Sequence, residues 1–222
     1  MPQTKPIIEF LHTADVHVGT FETLLEPHAA DMGLRHEVRA DWLARAQQEG
    51  VSAELHSEVR QHLTGAAERA AVVVCTCSTL GPIADEVAQV RPSVFRIDRP
   101  MMEAAARIGG TCLVAVCVEA TIRPTTDLLA EVCWPGEAAY EIALCADAWP
   151  YFEAGDTRRY AQTIARRVKE RLAGLSAARC VILAQGSMAV AEPLLADADL
   201  PILCSPQLAA EEAVARIRRT ER

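Results

Sequence analysis

The segment AAVVVCTCSTLG at Ala70–Gly81 is a short aliphatic run followed at once by small polar residues, with a cysteine, Cys77, among them. Cys77 follows the run and precedes a segment of helical composition, which predicts a strand-to-helix turn at this position. Backbone N–H groups at a helix N-terminus stabilise a thiolate, and they also bind carboxylates. Ser78 and Thr79 add hydroxyl donors, and Gly81 allows a tight turn. The pattern predicts a reactive thiol with a lowered pKa beside a carboxylate site. The alternative is a small, partly buried cysteine without a chemical role.

A second segment, RCVILAQGSMA at Arg179–Ala189, repeats this pattern without the thiol. Aligning the two aliphatic runs without gaps places Cys77-Ser78-Thr79 on Gly186-Ser187-Met188, whereas a shift of one residue places Cys77 on Gln185. Neither Gln185 nor Gly186 can act as a base, and Cys180 lies too early, inside the predicted strand. The sequence therefore predicts two matching turns, of which only one carries a thiol.

The elements that must position these turns alternate between strands and helices. Strands are predicted at Pro6–His12, Leu34–Val38, Ala71–Cys75, Ser93–Ile97, Thr111–Val118, Tyr140–Cys145, Cys180–Ala184 and Ile202–Cys204. Helices are predicted between them, including Asp156–Ala173, which Asp156 caps, and Met188–Ala196. Continuous apolar strands are typical of a parallel sheet that is covered on both faces.

The series of strands and helices occurs twice, with corresponding strands about 105 to 110 residues apart, the scale of one small domain. This spacing predicts an α/β fold with two pseudo-symmetric Rossmann-like halves and mainly parallel sheets. The first half comprises residues 1–98 and 206–222, and the second comprises residues 99–205. A single doubly wound sheet that only looks duplicated is the alternative.

Ligands of open parallel sheets bind outside the carboxyl ends of the strands. The loops expected at those ends are His12–Gly19, Thr76–Gly81, Glu119–Thr121 and Gln185–Met188. If both halves point these ends at each other, the loops form one active-site cleft.

Other chemistries find less support. Asp15-x-His17 is similar to the first metal motif of metallophosphoesterases, but the last histidine is His62, so the later histidine ligands are missing. Cys75 shares a strand face with Cys77, yet no CxxC motif or nearby histidine completes a zinc site. No GxGxxG, Walker or GxSxG motif occurs. The remaining histidines are interpreted as surface or packing residues: His28, His36, His56 and His62.

Composition excludes two classes of partner. The 222 residues carry a net charge of −8 without a basic block, so nucleic acid is not an expected partner. No apolar run approaches the roughly 18 residues of a transmembrane helix, and the first ten residues do not resemble a signal peptide. Eight cysteines without a secretion signal favour a reduced, cytoplasmic chain in which most cysteines fill the core.

In this order along the chain, the two turn segments and two further stretches resemble the aspartate/glutamate racemase superfamily. The further stretches are GTCLVAVCVEATIRPTTDLL at Gly110–Leu129 and DLPILCSPQLAAEEAV at Asp199–Val214. Members carry a Cys-Asn-Thr turn in the first half and a Gly-Cys-Thr turn in the second. Here Ser78 replaces the asparagine, and the second cysteine is absent.

The resemblance implies a cofactor-independent enzyme, with no metal, whose active site lies between two α/β halves. In the superfamily, two cysteines exchange the proton on a substrate carbon, and hydroxyl and backbone donors hold the carboxylate. Cys77 is then the catalytic residue. The substrate-binding residues implied are Thr13, Ser78, Thr79, Thr121, Gln185, Gly186 and Ser187. The expected partner is a small carboxylate, and assembly into a homo-oligomer is left open.

The leading functional hypothesis is an isomerase or racemase of this superfamily that acts on an amino acid or a related acid. Its thiol would serve as acid/base or nucleophile. Because one thiol is missing, the single-cysteine decarboxylases and the maleate isomerases of the superfamily are alternatives. A protein that binds a carboxylate without catalysis is the remaining alternative.

Overall fold

The computed structural model describes residues 5–133 and 139–220, and these residues form two four-stranded parallel sheets. The strands are β1 (Ile7–His12), β2 (Gly33–Val38), β3 (Val72–Cys75), β4 (Val94–Arg96), β5 (Thr111–Val116), β6 (Tyr140–Leu144), β7 (Ala178–Leu183) and β8 (Ile202–Cys204). The first sheet has the order β2-β1-β3-β4 and the second the order β6-β5-β7-β8. The predicted α/β class with two similar halves is confirmed, and the alternative of a single doubly wound sheet is wrong.

Helices follow the strands along the chain. They are α1 (Val16–Leu25), α2 (Ala40–Glu49), α3 (Ala53–Ala67), α4 (Gly81–Ala88), α5 (Arg99–Ile108), α6 (Ile122–Val132), α7 (Trp149–Glu153), α8 (Thr157–Leu172) and α9 (Ser205–Thr220). Short 3-10 turns connect three strands to the helices that follow them, at Ser78–Leu80, Glu119–Thr121 and Ala146–Ala148, and another, Glu26–His28, lies between α1 and β2. Asp156 caps α8 by accepting a 3.0 Å hydrogen bond from the Arg159 N–H, as the sequence predicts.

The predicted helix at Met188–Ala196 differs from expectation. Residues Gly186–Leu195 form a 3-10 helix that contains Pro193. Proline has no N–H to donate, and its ring clashes with the carbonyl four residues earlier in an α-helix. The tighter 3-10 winding uses i-to-i+3 hydrogen bonds and avoids that contact.

The chain divides into two compact units, Met1–Ile97 with Pro206–Arg222, and Asp98–Ser205. Successive side chains of a strand point to opposite faces of the sheet, and in the first unit both faces are buried. Leu11, Val73 and Cys75 face the helices α2, α3 and α4. The residues between them on the strands, with Phe10 among them, face α1 and α9. In the second unit, α8 and the 3-10 helix cover one face of the sheet.

Candidate functional site

Cys77 lies two residues beyond the end of β3, at the N-cap of the 3-10 turn Ser78–Leu80 that leads into α4. Its side chain belongs to the buried cluster on the α2–α4 face of the sheet and is 6% exposed. Ser78 and Thr79 are also buried in this turn. The predicted position of the thiol, at a strand-to-helix turn on the carboxyl edge of a parallel sheet, is therefore confirmed.

Four hydrogen-bond donors surround the Cys77 sulfur. They are the hydroxyl groups of Thr13 and Thr79 and the backbone N–H groups of Thr79 and Leu80, and each lowers the pKa of the thiol. The Leu80 N–H also donates to the Cys77 carbonyl at 3.1 Å. Burial acts in the opposite direction and outweighs them, so the pKa of Cys77 is raised. The expected lowering of this pKa is wrong, because the turn that supplies the donors also removes the sulfur from water.

Gly81 has a helical backbone with φ −51°, so the turn does not need the special freedom of glycine. The glycine is required by a close approach instead. A Cβ at Gly81 would lie 2.5 Å from the guanidinium carbon of Arg96. Arg96 is buried, pairs with Asp85 at 3.0 Å, and reaches the Ser78 carbonyl at 3.5 Å. Arg96 therefore packs against the turn that carries Cys77 and stabilises it, and the missing side chain of Gly81 leaves the space that the guanidinium occupies.

The second unit contains a matching turn. Its strand pairing and backbone geometry identify the residue that corresponds to Cys77. The pairing of β3 with the central strand β1 ends at Cys75, and that of β7 with the central strand β5 ends at Leu183. Cys77 and Gln185 each follow two residues later, with extended backbones and φ of −105° and −109°. Each also caps a 3-10 segment. Gln185, and not Gly186, is therefore the counterpart of Cys77, and the gapless alignment of the two runs is wrong by one residue.

Gln185 is anchored to the neighbouring strand end. Its side-chain oxygen Oε1 accepts hydrogen bonds from the backbone N–H groups of Cys117 (2.6 Å) and Val118 (3.2 Å), just beyond β5. Cys117 holds the position that Thr13 has in the first unit, one residue beyond the central strand. In the second unit, the carboxamide of Gln185 thus takes the place of the Cys77 thiol, and the thiol of Cys117 takes the place of the Thr13 hydroxyl.

A buried tyrosine joins the other polar groups of this turn. The hydroxyl of Tyr160, on α8, lies 2.9 Å from the Ser187 hydroxyl and also hydrogen-bonds to the Cys117 thiol. Burial raises the pKa of Cys117 to about 12, so this thiol is protonated at neutral pH. Two further predicted residues are buried. Gly186 starts the 3-10 helix Gly186–Leu195, and Thr121 ends the 3-10 turn after β5.

The predicted site residues thus form two sets, each at the carboxyl edge of its own sheet. The first unit holds Thr13, Cys77, Ser78 and Thr79. The second unit holds Thr121, Gln185, Gly186 and Ser187.

No protein-family sequence model matches this chain, and no curated protein matches it. Solved structures do match. Aspartate racemase from Picrophilus torridus aligns with a TM-score of 0.69 at 13% identity, covering 98% of this chain and 95% of that one. Glutamate racemase from Thermus thermophilus, in complex with beta-chloro-D-alanine, gives 0.68 at 18% identity over 98% and 82% of the chains. A variant of arylmalonate decarboxylase in a sulfate-associated form gives 0.55 at 14% identity over 95% and 93%.

The chain has the fold of the aspartate and glutamate racemases. The resemblance seen in the sequence motifs is thereby confirmed at the level of the fold. In this racemase fold, Cys77 and Gln185 occupy equivalent turns of two units that share one strand order.

A histidine network in the first unit of the racemase fold was missed by the sequence reasoning. His12 ends β1, and its Nδ1 lies 2.8 Å from the Thr76 hydroxyl, while its Nε2 lies 2.9 Å from Nδ1 of His36. The Thr76 hydroxyl donates to the Leu11 carbonyl at 3.1 Å, so it accepts from His12 Nδ1–H. His12 then accepts from His36, because a neutral imidazole has one donor and one acceptor.

Burial, with His17 and His36 nearby, lowers the pKa of His12 to about 3, and burial lowers the pKa of His17 to about 4. Both rings are therefore neutral at physiological pH. One sequence signal could have found part of the network. The period of two along β1 places Phe10 and His12 on the same face of the strand. His36 pairs with Phe10 on β2 and its ring stacks on both, but this pairing depends on the register and leaves no such signal.

Asp15 is exposed at the N-cap of α1. Within residues 5–133 and 139–220, no three His, Cys, Asp or Glu side chains are grouped so that they could hold a metal ion. No helix in the same residues has the length and apolar character needed to cross a membrane. All eight cysteines are free thiols.

Proposed function

We propose that this chain is a cofactor-independent enzyme that acts on a small carboxylate through the thiol of Cys77. The observation that carries the proposal is the set of four hydrogen-bond donors around one buried sulfur. Such donors stabilise negative charge on the sulfur more than they stabilise a neutral thiol. The similar structures support the substrate class, because they are named as racemases of aspartate and glutamate and as an arylmalonate decarboxylase.

Burial raises the pKa of Cys77, so the thiol enters the reaction as a proton donor. A planar, enediolate-like intermediate beside a carboxylate takes this proton onto carbon. The S–H bond breaks, a C–H bond forms, and the negative charge passes to the sulfur. The hydroxyl and N–H donors around Cys77 then stabilise the thiolate until solvent returns a proton to it.

Gln185 at the equivalent turn favours a reaction that needs one thiol. A carboxamide neither takes up nor releases a proton at physiological pH, so it cannot act as the second base of a racemase. In a decarboxylation, the C–C bond to a leaving CO2 breaks and its electron pair forms the enediolate, which Cys77 protonates. Addition of the sulfur to a double bond, as in a maleate isomerase, also needs one thiol but requires it as the thiolate.

The substrate-binding residues remain predictions. The hydroxyl groups of Thr13 and Thr79 lower the pKa of Cys77 through hydrogen bonding, which supports their assignment to the group that reacts there. Ser78 lies in the same turn. Thr121, Gln185, Gly186 and Ser187 supply polar groups to the edge of the second sheet.

The test is incubation of the protein in D2O with D- and L-aspartate, D- and L-glutamate, maleate and phenylmalonate, followed by proton NMR. Racemase-like chemistry exchanges the proton next to the carboxylate for deuterium, decarboxylation of phenylmalonate yields phenylacetate, and isomerisation of maleate yields fumarate. We expect turnover of at least one acid and its loss in Cys77→Ala. Cys133→Ala is the matched control, because it removes the least buried cysteine, at the end of α6.

Turnover that persists in Cys77→Ala at the wild-type rate would exclude the proposed mechanism. A non-catalytic carboxylate binder is the second candidate, favoured by the absence of a thiol at Gln185. It predicts that the wild-type protein binds one of these acids, detected by calorimetry, and converts none of them.

A further inference from the structure

The side-chain amide of Gln185 has a fixed orientation. Two consecutive backbone N–H groups, those of Cys117 and Val118, donate to its oxygen at 2.6 and 3.2 Å. Both groups are donors only, so the atom they meet must be the oxygen of the carboxamide. A flip of the amide would set its NH2 group against two N–H groups and would break both hydrogen bonds. The residue that replaces the second thiol is therefore held in one orientation by the backbone.

The NH2 group of Gln185 consequently points away from the strand end. The described residues supply no hydrogen-bond partner for Nε2, while Oε1 has two. The side chain is half-buried, and its backbone is fixed as the N-cap of the 3-10 helix Gly186–Leu195. Two N–H donors are thus presented in one direction with little conformational freedom left to lose on binding.

We infer that Gln185 is a specificity-determining residue that donates a hydrogen bond from Nε2 to a carboxylate oxygen of the substrate. The inference rests on the proposed function and adds the recognition of charge at the second turn. A donor in a fixed orientation binds an anionic or carbonyl oxygen and rejects an ammonium group, which offers only donors. Cys77 supplies chemistry at its turn, and Gln185 supplies selection for an oxygen anion at the equivalent turn.

The discriminating variant is Gln185→Glu, which preserves size and keeps an oxygen for the two backbone N–H groups. It replaces the outward NH2 group by a negatively charged oxygen. We expect KM for the converted carboxylate to rise by about 10- to 100-fold, the range for loss of a hydrogen bond to a charged group, with kcat changed much less. Gln162→Glu makes the same change of charge on the exposed side of α8 and should leave KM within about twofold, as expected for an exposed charge.

A second measurement does not depend on the catalytic activity of any variant. In 15N-labelled wild-type protein, the side-chain NH2 resonances of Gln185 are assigned by their loss in Gln185→Met. We expect them to shift when D-glutamate or phenylmalonate is added, whereas the amide of Gln162 stays unchanged.

An unchanged KM in Gln185→Glu, or unshifted NH2 resonances on saturation of the protein with ligand, would overturn the role of Gln185. The proposed function would stand in that case if Cys77→Ala still abolished turnover. If Cys77→Ala kept full activity, the proposed thiol chemistry would fail, and shifted NH2 resonances would still identify Gln185 as a contact of the acid.

Discussion

The two units share one strand order, β2-β1-β3-β4 and β6-β5-β7-β8, but they carry different chemistry. All six histidines lie within Met1–Ile97, whereas six of the eight cysteines lie within Asp98–Ser205. The thiol surrounded by four donors nevertheless belongs to the histidine-rich unit. The parallel sheet therefore fixes where a turn lies, while single side chains at that turn decide what it can do.

The bracing of the turns also differs between the units. In the first unit, β4 presents Arg96 opposite Cys75, and Gly81 leaves room for the guanidinium. In the second, Cys204 stands opposite Leu183, and the residue corresponding to Gly81 is Ala189, which packs against the core. Because Cys204 is shorter than Arg96, the second unit has room for the Cβ of Ala189, whereas Arg96 excludes a Cβ at Gly81 in the first unit.

The largest expected effect separates the two buried thiols. Cys77→Ser should lower kcat by about 10³-fold or more, because a serine hydroxyl is a far weaker acid than a thiol. Cys117→Ser makes the same exchange at the second unit and can keep its hydrogen bond to Tyr160, so we expect less than about a tenfold change. Steady-state kinetics on the converted acid measures both. Equal losses in the two variants would contradict the assignment of chemistry to the first unit.

The histidines make the first unit sensitive to acid. The folded-state pKa of His12 is about 3, below the ordinary value of 6.5. The unfolded chain therefore binds protons first as pH falls, and stability is complete above pH 6.5 and decreases toward pH 3. His12 alone should lower the free energy of unfolding by about 3 kcal/mol at pH 4, and His17 adds to the loss in the same direction.

Hydrogen exchange followed by mass spectrometry at pH 7, 5 and 4 measures this difference, after correction for the intrinsic exchange rate. We expect protection to fall more in β1–β3 than in β5–β7, since the second unit has no histidine. Equal losses of protection in the two sheets would count against the buried neutral histidines as the cause.

Gly81→Ala tests the bracing by Arg96. The added Cβ collides with the guanidinium and displaces it from Asp85 and the Ser78 carbonyl, so we expect a loss of about 2 kcal/mol in the free energy of unfolding. Gly19→Ala is the matched control, because a Cβ at this position in α1 meets nothing within 4 Å. It should be neutral or should stabilise by about 0.5–1 kcal/mol. Urea denaturation measures the free energy of unfolding of both variants. Equal changes in Gly81→Ala and Gly19→Ala would show that the contact between Arg96 and a Cβ at position 81 is not costly.

The smallest effect concerns the second unit. Tyr160→Phe removes the hydroxyl that bonds to Ser187 and Cys117 and should cost about 1 kcal/mol. Tyr151→Phe changes a half-buried tyrosine of the same unit and should cost less than about 0.5 kcal/mol. Thermal denaturation of the two variants measures the difference. A cost for Tyr160→Phe no greater than that of the control would show that the network contributes nothing to the stability of the turn.

The sequence predicted the alternation of strands and helices, the two parallel sheets and the turn that holds Cys77, because each depends on local patterns. The sequence could not show which residue of the second turn corresponds to Cys77. A run of aliphatic residues such as Val181–Leu183 looks the same after a shift of one, and only its pairing with β5 decides between Gln185 and Gly186. The pKa of Cys77 was mispredicted because burial depends on packing far along the chain. The histidine network depends on the register of β1 and β2, which no periodicity records.

The position of α9 has a consequence for the order in which the chain folds. This last helix packs Ala209, Ala213 and Ile217 against Phe95 and Ile97 and the strands of the first sheet, although it follows the whole second unit in sequence. Synthesis proceeds from the N-terminus, so Asp98–Ser205 can complete its core while the first unit still lacks one of its walls. The unit that holds Cys77 is therefore the last to close. Removal of Pro206–Arg222 should leave a folded second unit joined to an open first sheet, an aggregation-prone species whose exposed apolar face a chaperone would recognise.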